Sequence, residues 1–392
     1  MKLRVLDMLV CPVSGSDLHL KDATGSQATP SDEASPPSQC RHCRVSESGP
    51  HVAASVAERD CAACYAIEID TGRLENEAGQ AYPIRNGVPR LLPDAQLTRG
   101  SAEDKAIREK AAAGKTIGAS FGREWEHFDY DHSRTWHETV DDRCKLFLQE
   151  VDATADELKG KWVLDAGCGN GSLSRGLNRF GCEVLAADVA DSVDRAYAYY
   201  RAKGNDRTHF VQADLMNPPF RHEAVDVLYS SGVLHHNPDT RQALLAVAKA
   251  LAPGAKIYIW VYHKEPGIKF ALQLKLRQVV SPMPAPVKHA FVCVWSVQSM
   301  IRQHIRTLLG LNDEKDRLTW RERIVDLLDI YTPRYRWMHT QDEVKGWYRE
   351  LGFEDIKTTE VRDWGFGVVA TKPGTGGGGP LSQTRQAAAT NA

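Results

Sequence analysis

Apolar positions from about residue 160 onward fall into short runs, each ending in a polar residue and followed by a helical pattern. Trp162-Val163-Leu164-Asp165 opens the series, followed by Glu183 to Asp188, His209 to Asp214 and Val225 to Ser230. Lys256 to Tyr262 is a fifth run. Runs of this length without polar alternation read as strands buried on both faces. Helical spacing fills 190–202 and 239–251, a turn is expected at Pro253-Gly254, and a last helix and strand pair spans 341–371. Strands alternating with helices predict a doubly wound, mostly parallel α/β sheet. Residues 264–338 interrupt the alternation. Apolar spacings of three and four there predict amphipathic helices inserted after the fifth strand.

The first strand runs into Asp165-x-Gly167-x-Gly169-x-Gly171 and then a helical pattern. Alternate glycines let a backbone turn tightly and approach a ligand that a Cβ would exclude. The helix start behind them presents free N–H groups. Asp188 ends the second strand about 20 residues on, where an acid accepts hydrogen bonds from ribose hydroxyls in nucleoside-binding folds. Asp214 ends the third strand.

This spacing resembles motif I of class I S-adenosylmethionine (SAM)-dependent methyltransferases of the broad type 11 kind, over about 160–262 and 341–371. The resemblance implies a seven-stranded Rossmann-like sheet and a SAM site at Asp165, Gly167, Cys168, Gly169, Gly171, Asp188, Asp214, Leu215 and Ser231. Asp214 would contact the adenine amino group. His236 and His235, on the loop after the fourth strand, are the candidate catalytic bases. Phe121-Gly122-Arg123-Glu124-Trp125 resembles a segment that covers the cofactor in related enzymes. Asn217-Pro218-Pro219-Phe220 matches the tetrapeptide of amino-group methyltransferases, but it precedes the fourth strand instead of following it. It is therefore read as a turn.

Cys40-x-x-Cys43 and Cys61-x-x-Cys64 have the spacing of a four-thiolate structural Zn²⁺ site. Nine cysteines, two such pairs and no secretory leader pattern point to a reducing compartment and a cytoplasmic location. Leu9-Val10-Cys11-Pro12, Gly72-Arg73-Leu74 and Tyr82 to Pro93 resemble the zinc ribbon of the activator subunit of tRNA and release-factor methyltransferases. That family often carries two CxxC pairs. Here Ser14 occupies the second place of the first pair, and Asn76 and Gly79 stand where the second would fall. The zinc is therefore expected at Cys40, Cys43, Cys61 and Cys64, with Cys11 as a possible replacement ligand.

The resulting organisation is a zinc-ribbon module at 1–95 with a flexible loop at 24–38, then a helical connector and cofactor lid at 96–158. The methyltransferase domain follows at 159–372, with a helical substrate cap at 264–338 and a Gly-rich disordered tail at 373–392. A net charge of −2 gives no overall attraction to nucleic acid, although 264–312 carries seven Lys or Arg against one acid. That basic, apolar segment suits an anionic acceptor or a membrane surface. Arg334, Tyr335 and His339 are the candidate acceptor contacts. The expected activity is methyl transfer from SAM to an O or N atom of a small-molecule, glycan or lipid-linked acceptor. An RNA methyltransferase and a non-catalytic SAM- or partner-binding scaffold are the alternatives. The oligomeric state is left open.

Overall fold

The computed structural model describes residues 1–27, 67–93, 117–119, 121–122, 125, 138–204, 207–264, 268–311, 319–362 and 364–374. Near the N-terminus, β1 (His19–Gln27), β2 (Ile67–Glu75), β3 (Ala81–Arg85) and β4 (Val88–Leu91) form an antiparallel meander. Residues 24–27, expected in a loop, extend β1 because they pair with β2.

After α1 (Val140–Glu150) and the short α2 (Ala155–Leu158), the alternation begins. It runs β5 (Trp162–Ala166), α3 (Ser172–Gly176), β6 (Glu183–Asp188), α4 (Ser192–Ala202), β7 (Thr208–Ala213), β8 (Val225–Ser231), α5 (Thr240–Val247) and β9 (Leu251–Tyr262). Every position of β5 and β6 is buried, as their unbroken apolar sequences require. Pro253-Gly254 lies inside β9, not before it. It forms a bulge between Leu251, paired with Val225, and Lys256, paired with Val227. The insertion supplies α6 (Ile268–Val280), α7 (Ala285–Leu308) and α8 (Trp320–Tyr331), and α9 (Gln341–Glu350), β10 (Glu354–Arg362) and β11 (Gly365–Thr371) close the fold. Four of these helices start with a reciprocal cap: Thr139 with Asp142, Thr154 with Glu157, Thr319 with Glu322 and Thr340 with Glu343.

The sheet has eleven strands, not seven, in the order β1-β2-β3-β4-β7-β6-β5-β8-β9-β11-β10. The last seven in that order carry the expected doubly wound arrangement. β5 to β9 are parallel, and β11 is antiparallel to both its neighbours. The other four join because β4 pairs in parallel with β7, Arg90 opposite Gln212 and Leu91 opposite Ala213. The module thus covers an edge that would otherwise present unpaired backbone groups. Its core is continuous with that of the larger domain, since Leu9, Leu74 and Leu91 belong to one apolar cluster with Leu164, Val211 and Phe220.

Asn217 to Phe220 is the seat of this docking. Val10 N–H donates to the Pro219 carbonyl at 2.9 Å, Leu9 bridges Phe220, and Arg221 N–H donates to the Met8 carbonyl at 2.9 Å. On the other side of the edge, Glu68 of β2 is buried against α4. It accepts from the Tyr197 hydroxyl at 2.6 Å and pairs with Lys2 at 3.1 Å. Burial alone would raise the Glu68 carboxyl, but the Met1 ammonium, Lys2 and Tyr197 outweigh it and hold it down to about 2.

A depressed carboxylate stabilises the fold above its unfolded pKa, and that contribution disappears as pH falls through the folded value. Glu68→Gln should therefore lose about 3 kcal/mol of unfolding free energy at pH 7. In denaturant titrations, wild type and variant should converge between pH 4.5 and about 2. A gap that stays constant across this range would contradict the assignment.

Candidate active site

The order of connections reverses between β5 and β8, and a cavity opens over the carboxyl ends of β5, β6, β7 and β8, where doubly wound sheets hold their ligands. Its empty volume is about 1310 Å³, part of it open to solvent. Of the nine expected cofactor residues, all but Gly171 line it. Gly171 instead caps the start of α3 in the left-handed region (φ 71), where a Cβ would stand 2.5 Å from the Phe210 ring. Gly169 (φ 54) faces the cavity, and a Cβ there would stand 2.6 Å from the Trp125 indole. The glycine loop is therefore a cradle with bare backbone towards the ligand space, roofed by Trp125 and Phe121.

Asp188 fixes that loop. One carboxylate oxygen accepts Gly169 N–H at 2.9 Å and the other accepts Ala190 N–H at 2.9 Å. The Gly167 and Cys168 N–H groups both donate to the Ala187 carbonyl, at 2.7 and 3.0 Å. Asp214 shapes the next strand end, accepting from Met216 N–H at 2.9 Å. Beneath the loop, Asp165 is fully enclosed and accepts from the Ser174 hydroxyl at 2.5 Å. Burial pushes its carboxyl up to about 6, and burial likewise raises Asp188.

On the β8 side, Ser231 and Gly232 lead into a 3₁₀ turn over Leu234–His236. The two histidines differ in position. His236 lines the cavity, whereas His235 packs behind it against Tyr262, ring centroids 4.5 Å apart. Burial, reinforced by the nearby His236 and Arg336, drives the His235 pKa well below its ordinary value, so that ring is neutral. His236 donates from Nδ1 to the Tyr335 carbonyl at 2.9 Å, and its Nε2 lies 3.3 Å from Asp329 Oδ1. Asp329 comes from α8, lines the same cavity and accepts from the Tyr262 hydroxyl. Burial would raise the Asp329 carboxyl, but His236, Arg336 and Tyr262 outweigh it and keep it below the ordinary value.

None of the three candidate acceptor contacts reaches the cavity wall. Arg334 is exposed and stacks over Tyr335, and Tyr335 contributes its carbonyl to His236. His339 Nε2 lies 2.9 Å from the Thr240 hydroxyl. On the opposite wall stands Arg143 of α1. Among the described residues it is the only Lys or Arg that lines the cavity, braced by Glu138 at 3.1 Å and by the Tyr229 hydroxyl. Its ion partners keep it charged despite burial.

Residues 164–259 match the family described as "Methyltransferase domain". The chain carries a methyltransferase domain. Residues 2–87 match "Trm112p-like protein", so a Trm112p-like domain precedes the methyltransferase domain. Among curated relatives, a probable chloroplastic tocopherol O-methyltransferase of Oryza sativa is 31% identical over 132 residues, 33% of this chain and 36% of that protein. A ubiquinone biosynthesis O-methyltransferase of Proteus mirabilis is 26% identical over 140 residues, 36% of this chain and 57% of that protein. The sterol 24-C-methyltransferase of Saccharomyces cerevisiae is 33% identical over 108 residues, 26% of this chain and 28% of that protein. The chain thus spans between about a quarter and three-fifths of these relatives' lengths. A solved magnesium protoporphyrin IX methyltransferase from Synechocystis aligns over 67% of this chain and 99% of its own, at 17% identity and TM-score 0.40.

The Trm112p-like domain does not present a four-thiolate site at the position expected from its family. The two turns do face each other, but they bring together Cys11, Ser14, Ser16, Asn76 and Gln80. Asn76 Nδ2 donates to Gln80 Oε1 at 2.8 Å and to Ser16 Oγ at 3.0 Å. The Cys11 thiol, buried, donates to Gln80 Oε1 at 3.2 Å. A hydrogen-bond cluster does here what a metal would do. Among the described residues no group of His, Cys, Asp or Glu could hold a metal ion. Cys40, Cys43, Cys61 and Cys64 lie outside the described residues, as do Phe121's neighbours Arg123 and Glu124.

Three charged cavity residues were not singled out in the sequence: Glu138, Arg143 and Asp329. The Thr139 cap announces the start of α1, but nothing local marks Arg143. Asp329 looks no different from Asp326 on the same helix.

The raised pKa of Asp165 means that the methyltransferase domain holds a carboxylate at a cost. Above pH 6 the charged form opposes folding, and the penalty is relieved as pH falls from about 6 towards the unfolded value. Asp165→Asn should therefore raise stability at pH 7 by up to about 3 kcal/mol while weakening SAM binding. Thermal unfolding and calorimetric titration of the same variant check both halves.

Proposed function

We propose that the chain is a SAM-dependent methyltransferase acting on a hydroxyl or amine of a small, largely apolar acceptor, with the His236–Asp329 pair receiving the acceptor's proton. The observation that carries this reading is the placement of a histidine and a charged carboxylate, 3.3 Å apart, in the same cavity as the glycine cradle and the strand-end acids.

The residues fit the cofactor. Asp188 offers its remaining lone pairs to ribose hydroxyls, and Asp214 stands at the end of the next strand for the adenine amino group. The carboxylate of the methionine moiety would find its complement in Arg143, the single cation of the wall among the described residues. Bound SAM supplies a methyl group on a sulfonium sulfur, so the protein's tasks are alignment, exclusion of water and proton removal. Phe121 and Trp125 exclude water from above. The Tyr335 carbonyl accepts from Nδ1, which orients the ring and turns Nε2 towards Asp329, where the pair would hold the acceptor's proton between them. Asp329 then stabilises the imidazolium, and the Tyr262 hydroxyl holds the carboxylate in place. Tocopherol, ubiquinone and sterol methyltransferases among the relatives support a lipophilic acceptor.

Methyl transfer is tested with labelled SAM and separated lipid, glycan, RNA and small-molecule pools. His236→Ala and Asp329→Asn should each slow transfer by about 10²–10⁴-fold and leave SAM affinity within about twofold. SAM affinity lost along with the rate would assign the pair to cofactor binding. Intact SAM binding with no transfer to any pool would favour a non-catalytic scaffold.

For the N-terminal domain we propose one structural Zn²⁺ on Cys40, Cys43, Cys61 and Cys64, on the strength of their C-x2-C-x17-C-x2-C spacing. Elemental analysis should find about one equivalent, lost in Cys61→Ser. Cys11→Ser should retain it, because the Cys11 thiol is engaged with Gln80 and Tyr82.

A further inference from the structure

Helix α7 has two apolar faces, and among the described residues only one of them is covered. Val292 packs with Val280 of α6 and with Ile324, Leu327, Leu328 and Tyr331 of α8. The other face carries Val287, Val294, Val297, Ile301, Ile305 and Leu308, all exposed, Val294 at 70% and Leu308 at 74%. At 100° per residue these six side chains fall within an arc of about 80°. They form a straight stripe down a helix about 36 Å long. Leu309 and Leu311 extend it beyond the helix end, and Leu272 and Val279 of α6 are exposed as well. A bare apolar surface of this extent marks an interaction site.

Charge says what covers it. Between residues 268 and 311 there is no Asp or Glu at all, while Lys269, Lys275, Arg277, Lys288, Arg302 and Arg306 are present. The whole chain has 51 acids in 392 residues, so an acid-free stretch of this length runs against its own composition. Arg302 and Arg306 stand along one edge of the stripe, beside Val294, Val297, Ile301 and Ile305. A second copy of the chain would bring the same basic border against itself, and like charges across an interface oppose docking. An apolar stripe bordered by arginines, on a helix that is not apolar enough to cross a membrane, has the make-up of a helix lying in the bilayer interface.

We propose that α7 is a peripheral membrane anchor that lays its Val287–Leu308 stripe into an anionic lipid surface. The anchor is structurally tied to the candidate active site. The inner face of α7 packs on α8, and α8 carries Asp329 into the cavity. Seating α7 on a bilayer would place the cavity within one helix layer of the lipid. The inference stands on the stripe and its charge border and is independent of the acceptor assigned above.

The test uses the full chain with vesicles of phosphatidylcholine alone or mixed with phosphatidylglycerol, read by co-sedimentation. Binding is expected to the mixed vesicles and to fall steeply as salt is raised. Arg302→Gln and Arg306→Gln should each weaken it about fivefold, and the double variant Ile301→Glu, Ile305→Glu should abolish it. Calorimetric SAM titration of the same samples should be unchanged, which shows that the variants are folded and separates this proposal from the methyl-transfer reading. Binding to neither vesicle overturns the proposal, and equal binding to both removes its anionic component. A dimer in sedimentation equilibrium that the double Glu variant dissociates would assign the stripe to a second copy and overturn it too.

Discussion

The carboxylate of Asp188 is the tie on which the candidate active site depends. It reaches from the end of β6 to Gly169 N–H in the neighbouring loop and turns back to Ala190 N–H in its own. Two strand-end loops are thereby fixed relative to each other in an enclosed setting, where the carboxylate's own charge is disfavoured. The glycines permit the bare, left-handed backbone, and Asp188 makes one such conformation the stable one. Asp165 below the loop shows the same tension between burial and charge. Both carboxylates oppose the stability of the fold in a place where a cationic, hydrogen-bonding ligand would reward them.

The N-terminal domain is bound to the rest by the ordinary forces of a single fold. Its β4 extends the parallel sheet, its apolar residues enter the same core, and its charged Glu68 is satisfied only by groups gathered from both parts. Joining the sheet removes the exposed edge of β7. The Pro-rich turn at 217–220 has the composition of a catalytic tetrapeptide, yet its backbone receives Leu9 and Val10 of the N-terminal domain. In the same domain, Asn76, Gln80 and the two serines replace thiolates with hydrogen bonds while preserving the facing turns.

The inserted helices join the outer surface to the cavity. α7 contributes a covered face to α8, α8 delivers Asp329 to His236, and the strand of chain after α8 delivers the Tyr335 carbonyl to the other ring nitrogen. Both ring nitrogens of the histidine therefore face the insertion, although the residue belongs to the loop after β8. Its partners restrict both tautomer and position, which is the condition for a base to act on one side of a bound acceptor.

Local pattern alone determined the strand and helix alternation, the glycine cradle and the acids at the strand ends. Those features follow from burial on both faces of a strand and from steric limits on φ, which act within a few residues. What the sequence could not determine was the meeting of distant parts. The parallel pairing of β4 with β7, which makes eleven strands of seven and four, depends on which edge is left open. Arg143 and Asp329 look like ordinary helix-surface charges until α1 and α8 fold over the cavity. Arg334, Tyr335 and His339 carry suitable chemistry, but the path of the backbone brings only a carbonyl from among them to the site. A side chain's chemistry is written in the sequence, whereas the direction it faces is set by packing across the whole chain.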